Sequence, residues 1–139
     1  MRPRIVLDAS AAVHLVLAGP HAPVLRDQLE ETAVVLAPDL FTAEVANSLW
    51  KYVKAGSLSQ EKAIELLGRA LALVEVLVPS PELAVEALAT AAKAGHPVYD
   101  LLYAVLARRH SVPLLTMDGT LAKRLRAMDI ETLCPLLSS

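Results

Sequence analysis

Four carboxylates stand out by where they fall in the chain: Asp8, Glu44, Asp100 and Asp118. Asp8 closes the apolar run Ile5-Val6-Leu7, and Asp118 follows Leu114-Leu115-Thr116-Met117. Glu44 sits inside a helical stretch whose residues Leu40, Phe41, Val45, Leu49, Trp50 and Val53 are largely apolar, and it shares a polar stripe with Asn47, Ser48 and Lys51. Asp100 falls in the first turn of another helix, where the macrodipole favours a carboxylate by about 0.3–1 kcal/mol. Taken singly, each has a plain structural reading. Asp8 and Asp118 are good helix N-caps, with Ser10 a competing cap, and the Glu44 stripe is an ordinary solvated face. Taken together they are acids at strand ends and helix starts that one sheet edge can gather. Carboxylates held together repel, and ionising all of them requires a neutralising cation. Hard divalent ions meet that need, and Mg²⁺ completes its octahedral shell with water and phosphate oxygen. A cation so placed activates water for attack on a phosphodiester, which cleaves a nucleic-acid backbone.

Other chemistries find little support. His14 lies in an apolar stretch, His21 in a Gly-Pro turn, His96 before Pro97 and His110 at a helix end, and no spacing gives any of them a partner. Cys134 is the lone cysteine, which excludes an internal disulfide, and no Cys/His cluster has zinc-ligand spacing. Five glycines leave no phosphate loop or nucleophile elbow. A phosphoacceptor domain needs an acidic pair at the first strand, whereas Asp8 is followed by Ala9-Ser10.

The elements that must position the acids follow from periodicity. Apolar runs at Ile5–Leu7, Ala33–Leu36, Val74–Val78, Pro113–Thr116 and Ile130–Leu133 read as buried strands. Between them fall helices at Ser10–Leu17, Pro23–Glu31, from Pro38-Asp39 to Lys54, from a Ser59 cap to Leu73, from a Ser80 cap with Pro81 at the first position to Ala94, Asp100–His110 and Gly119–Ala127. Strands separated by helices argue for an α/β fold: a three-layer α/β/α sandwich on a short, mostly parallel central sheet. At 139 residues the chain is expected to be one domain, 1–139. Ligands in such sheets sit beyond the carboxyl ends of the strands, where Asp8 and Asp118 fall.

Composition sharpens the functional classes. Alanine and leucine supply 23 and 26 of the residues against five aromatics, and hydrophobic residues make up 55%. The uncharged stretch Ala9–Leu25 is broken by Gly19, Pro20 and Pro23, so no membrane span is expected. The opening Met1-Arg2-Pro3-Arg4 reaches Asp8 after three apolar residues and lacks the core of a signal peptide, so a cytoplasmic protein is expected. A formal charge of −2 gives no global pull toward nucleic acid. Locally, Arg108, Arg109, Lys123, Arg124 and Arg126 face one acid, Asp118, over residues 104–127, and they read equally as phosphate contacts or as solvated helix ends. Tyr99 and Tyr103 flank Asp100 as either base-stacking or core residues.

The order and context of the acids resemble the PIN domain family, in particular the VapC-type toxins of toxin–antitoxin pairs. The resemblance runs through Ile-Val-Leu-Asp-Ala-Ser at 5–10, Ala-Glu-Val-Ala-Asn-Ser-Leu at 43–49, Pro-Val-Tyr-Asp-Leu-Leu-Tyr-Ala-Val-Leu-Ala at 97–107 and Leu-Leu-Thr-Met-Asp-Gly-Thr-Leu-Ala at 114–122. It implies that Asp8, Glu44, Asp100 and Asp118 are the catalytic and metal-binding acids. Ser10, Asn47 and Thr116 take auxiliary polar positions. It further implies a Mg²⁺- or Mn²⁺-dependent endoribonuclease acting on RNA, a homodimer, and a cognate antitoxin that blocks the site. Gly119 departs from members with a further polar residue there and leaves a second metal open. The competing class is a non-catalytic α/β assembly module of the same fold. An aliphatic surplus this large implies exposed apolar patches, expected between Leu40 and Leu73 as interface for a dimer or antitoxin.

Overall fold

The computed structural model describes residues 3–30 and 34–137. Five strands form one sheet in the order β3-β2-β1-β4-β5: β1 (Arg4–Leu7), β2 (Val34–Pro38), β3 (Val76–Val78), β4 (Leu114–Leu115) and β5 (Thr132–Leu133). Every neighbouring pair is parallel. The helices are α1 (Ala9–Val16), α2 (Ala22–Glu30), α3 (Leu40–Lys54), α4 (Gln60–Leu71), α5 (Ser80–Ala94), α6 (Val98–His110) and α7 (Gly119–Ala127).

Alternation along the strands divides the apolar residues between two cores. Ile5, Leu7, Ala37 and Leu115 pack with α1 to α4, while Val6, Leu36 and Leu114 face α5, α6 and α7. Strands buried on both faces need apolar residues at every position, which is why β1 reads as an unbroken run. The result is the expected α/β/α sandwich. α6 is apolar all round from Leu101 to Ala107 and is buried accordingly. Gly95, at φ +68°, ends α5 in the left-handed conformation.

The structure departs from the sequence reading in several details. β2 runs on through Pro38, its start at Ala33 lying outside the described residues, as does Glu31 at the end of α2. β3 is shorter than Val74–Val78 and is an exposed edge rather than a buried strand. Ser80 is not the cap of α5. It lies within the helix, behind Pro79, and its hydroxyl donates to the Asp39 carboxylate, tying α5 to the start of α3. α6 begins at Val98, two residues before Asp100. Ser59 does cap α4, accepting from the Lys62 N–H at 3.1 Å.

Part of the aliphatic surplus is on the surface. Trp50, Tyr52 and Ile64 are exposed on α3 and α4, where a groove is lined by Trp50, Val53, Ile64 and Leu67. The surplus also extends beyond the expected segment, because Val85 and Leu88 stand out from α5 at 83% and 64% exposure. Among the described residues no helix is long and apolar enough to cross a membrane.

The α1–α2 turn depends on one small residue. His14 Nε2 accepts the His21 N–H at 3.0 Å, and Gly19 lies against the ring, where a Cβ would stand 2.5 Å from Nε2. Gly19→Ala should destabilise the fold by about 1–3 kcal/mol in chemical denaturation, because the ring cannot retreat without breaking that bond. In a His14→Ala background the same change should cost less than about 0.5 kcal/mol, a coupling that a double-mutant cycle measures.

Candidate active site

The site lies where the sheet's connections diverge. From β1 the chain crosses to β2 on one side, while β4 arrives on the other, leaving a crevice at the carboxyl ends of β1 and β4. Asp8 and Thr116 stand on its two walls. The Asp8 N–H donates to Leu115 O at 3.0 Å, which locks the strands at that point.

Asp8 occupies the N-cap position of α1 with extended backbone, yet its side chain makes no capping bond. It turns inward, buried to 6% exposure. Ser10 Oγ donates to Asp8 Oδ2 at 2.5 Å and Thr116 Oγ1 to the same oxygen at 2.6 Å. Each hydroxyl owns one proton, and both protons go to the carboxylate. The 3.1 Å approach of Ser10 Oγ to Thr116 Oγ1 is therefore a contact between two acceptors. Each accepts a backbone N–H in turn, Met117 into Ser10 at 3.0 Å and Asp118 into Thr116 at 2.9 Å. Burial pushes the Asp8 carboxyl above its usual range against the pull of these two hydroxyls, and the Asp118 charge pushes the same way.

Asp118 does cap its helix, Oδ1 accepting the Leu121 N–H at 3.0 Å. Here the structural reading and membership of the acid set hold at once. Glu44 on α3 does not face open water. Tyr103 from α6 donates its hydroxyl to Glu44 Oε1 at 2.6 Å, joining the two helical layers beyond the strand ends. Burial raises the Glu44 carboxyl, the tyrosine opposes that, and Asp8 and Asp100 add to it. Tyr103 is itself 1% exposed and held protonated, its acidity suppressed first by burial and then by the nearby acids. It is therefore no stacking platform for a base. Asp100 is half-buried, raised by burial and by Asp118 and lowered by Arg124 and His96.

The four acids thus act on one another in a closed ring: Asp8 with Asp118 and Glu44, and Asp100 with the same two. Among the described residues no three His, Cys, Asp or Glu side chains converge as a preformed metal cage. The donor set nonetheless fits a hard cation that keeps part of its water shell and takes only a few carboxylates. Asn47 lies one turn along α3 from Glu44, exposed and without a hydrogen bond among the described residues.

The basic residues divide. Arg124 comes within 3.7 Å of Asp100 Oδ2, and Lys123 beside it is exposed. Arg108 and Arg109 are not brought to the acids. They end α6 about 12 Å along its axis from Asp100. Glu86 holds them there at 3.1 and 2.8 Å, near the start of β1 where His110 contacts Arg4. A phosphate at the acids is out of their reach, so any contact they make with RNA is to flanking phosphates. Sequence reasoning also missed the bond from Tyr103 to Glu44. The available signal was a polar tip within an otherwise apolar helix, since a buried tyrosine hydroxyl requires a partner.

A family model described as PIN domain matches residues 5–126. Ribonuclease VapC3 of Pyrobaculum aerophilum is 34% identical over 132 residues, covering 90% of this chain and 97% of the relative. Among solved structures, PAE2754 from Pyrobaculum aerophilum superposes with a TM-score of 0.70 at 27% identity, over 89% of this chain and 87% of that one. VapBC2 from Rickettsia felis, bound to a DNA fragment from its promoter, gives 0.68 at 15% identity, over 94% and 98%, a likeness of fold.

Three raised carboxyls set a sign for stability. Asp8, Glu44 and Asp100 hold protons more tightly folded than unfolded, where their ordinary values are 3.8, 4.5 and 3.8. In the pH window above those values the native state binds more protons, so unfolding free energy falls as pH rises. Without divalent ions the thermal midpoint should therefore climb on mild acidification from neutrality. Asp8→Asn should raise the neutral-pH midpoint and flatten that dependence in calorimetry. An unchanged slope in the variant counts against Asp8 as a buried charge.

Proposed function

Because the chain belongs to the PIN domain family, we propose that it is a Mg²⁺- or Mn²⁺-dependent endoribonuclease, the toxin of a toxin–antitoxin pair. The observation that carries this reading is the ring of four mutually acting acids at the strand ends. Such a ring is costly for a fold that does not use it, because carboxylates held close together disfavour one another's charge. The name of the Pyrobaculum relative, a ribonuclease, supports RNA as the substrate. The reading takes residues 1–139 as one nuclease domain acting in the cytoplasm.

Asp8, Glu44, Asp100 and Asp118 would hold the ion. When bound, it would supply the Lewis acidity for attack of water on the phosphodiester and neutralise the charge that develops on the phosphoryl oxygens. The chain's own work is preorganisation. Ser10 and Thr116 fix the Asp8 carboxylate, Tyr103 fixes Glu44, and the first turn of α7 fixes Asp118. Asp100 is the least constrained of the four, making a long ion pair with Arg124 and no side-chain hydrogen bond among the described residues. Asn47 and Lys123 are exposed, and this reading gives Asn47 an auxiliary polar role beside the acids and Lys123 a contact with RNA.

Partners follow the same reading. The exposed apolar residues on α3, α4 and α5 supply surface for a second copy of the chain and for a cognate antitoxin. A bare assembly module of this fold has no need for buried, hydroxyl-clamped acid.

With purified protein and a single-stranded RNA, cleavage should require Mg²⁺ or Mn²⁺ and stop with a chelator. Asp8→Asn and Asp100→Asn should each lower kcat/KM by more than about 100-fold while the protein stays folded. Cleavage that persists in both variants, or in chelator, would falsify the assignment.

A further inference from the structure

Two arginine arrangements in this molecule differ in kind. Arg108 and Arg109 are pinned: Arg108 Nη2 donates to Glu86 at 3.1 Å and to Thr90 at 2.9 Å, and Arg109 Nε donates to the other Glu86 oxygen at 2.8 Å. Arg124 is loose. Its Nη1 stands 3.7 Å from Asp100 Oδ2, beyond hydrogen-bond length, and it makes no hydrogen bond among the described residues. Both ends are partly in solvent, at 40% and 39% exposure. A guanidinium carries five donors, so this one keeps its hydrogen-bonding capacity at the rim of an acidic site.

We infer that Arg124 is a tethered counter-charge that sits on Asp100 while no divalent ion does and crosses to an RNA phosphate when one is bound. The inference rests on the nuclease reading above and adds a residue exchange to it. Asp100 is the acid on which such an exchange can occur, because the other three carboxylates are tied by hydroxyl or backbone hydrogen bonds. With a divalent ion on Asp100, the carboxylate's charge is engaged by the metal and its hold on the guanidinium weakens. The incoming strand brings phosphate oxygens that a guanidinium fork binds through two parallel bonds. Arg124 then offsets the repulsion between an anionic site and an anionic substrate, which Arg108 and Arg109 are placed too far away to do.

Two readouts test this on the intact chain. Mn²⁺ affinity without RNA, followed by the electron paramagnetic resonance of free Mn²⁺, should tighten about two- to five-fold in Arg124→Gln, the range expected on removing an exposed ion-pair competitor. Arg124→Lys keeps the charge and should bind Mn²⁺ like wild type. In single-stranded RNA cleavage at saturating Mn²⁺, Arg124→Gln should raise KM about ten-fold with kcat altered less than about three-fold. It should also make the slope of log affinity against log salt shallower by about 0.7, one phosphate contact. Arg124→Lys should fall between, lacking the fork. Gln-variant Mn²⁺ affinity no tighter than wild type, or an unchanged KM and salt slope, overturns the exchange while leaving the nuclease standing. A wild-type chain that neither binds Mn²⁺ nor cuts RNA overturns both.

Discussion

The structure turns on a carboxylate that cannot leave the protein. Asp8 is fixed by backbone to the end of the central strand and buried there, so solvent does little to stabilise its charge. Two hydroxyls do so instead, one from the helix that follows and one from the residue just past β4, 108 positions away. That pair makes strand register a condition of the site. A one-residue slip of β4 against β1 would turn Thr116 to the opposite face and leave Asp8 without its second donor. The apolar residues on both faces of β1 and β4 exclude such a slip, since it would exchange the two cores. Hydrophobic alternation and polar geometry therefore fix one another.

Charge is arranged with the same economy. The acids collect at the carboxyl ends of the strands, where α7 presents an N-terminus and α6 its first turn, both favourable to negative charge. The firmly paired arginines lie at the opposite end of α6, where one carboxylate from α5 pairs with both and leaves a positive charge over. A bulk charge near zero thus conceals a dipolar molecule. What matters for an anionic ligand is the cation within reach of the acids, and the net balance says little about it.

Most of this was legible in the sequence, for a physical reason. Strands covered on both faces must be continuous apolar runs, and acids that interrupt such runs at their ends mark the crevice, so Asp8 and Asp118 could be found from pattern alone. Ser10 and Thr116 lie close to those acids in sequence, and their proximity in space follows. Contacts between layers were not legible. Tyr103 and Glu44 meet across 59 residues, and helical spacing says which face a residue takes but not what stands opposite. The same limit explains the basic cluster: Arg108, Arg109 and Arg124 are close in sequence, yet α6 carries the first two to the far end while α7 brings Arg124 back beside Asp100. At Ser80 the cap expectation failed, because the helix starts one residue early behind Pro79 and the hydroxyl donates to Asp39.

The strand order has a consequence for synthesis. β1 is made first, and β2 and β3 can pair on one side of it as they emerge, but its other neighbour is β4. A growing chain carries Asp8 and Glu44 through most of its translation with neither Thr116 nor Asp118 yet in place. The acid ring closes only when β4 docks against β1 and α7 forms, a pairing across more than a hundred residues that is slow to find. On the nuclease reading proposed above, the site is therefore incomplete until the last strands dock.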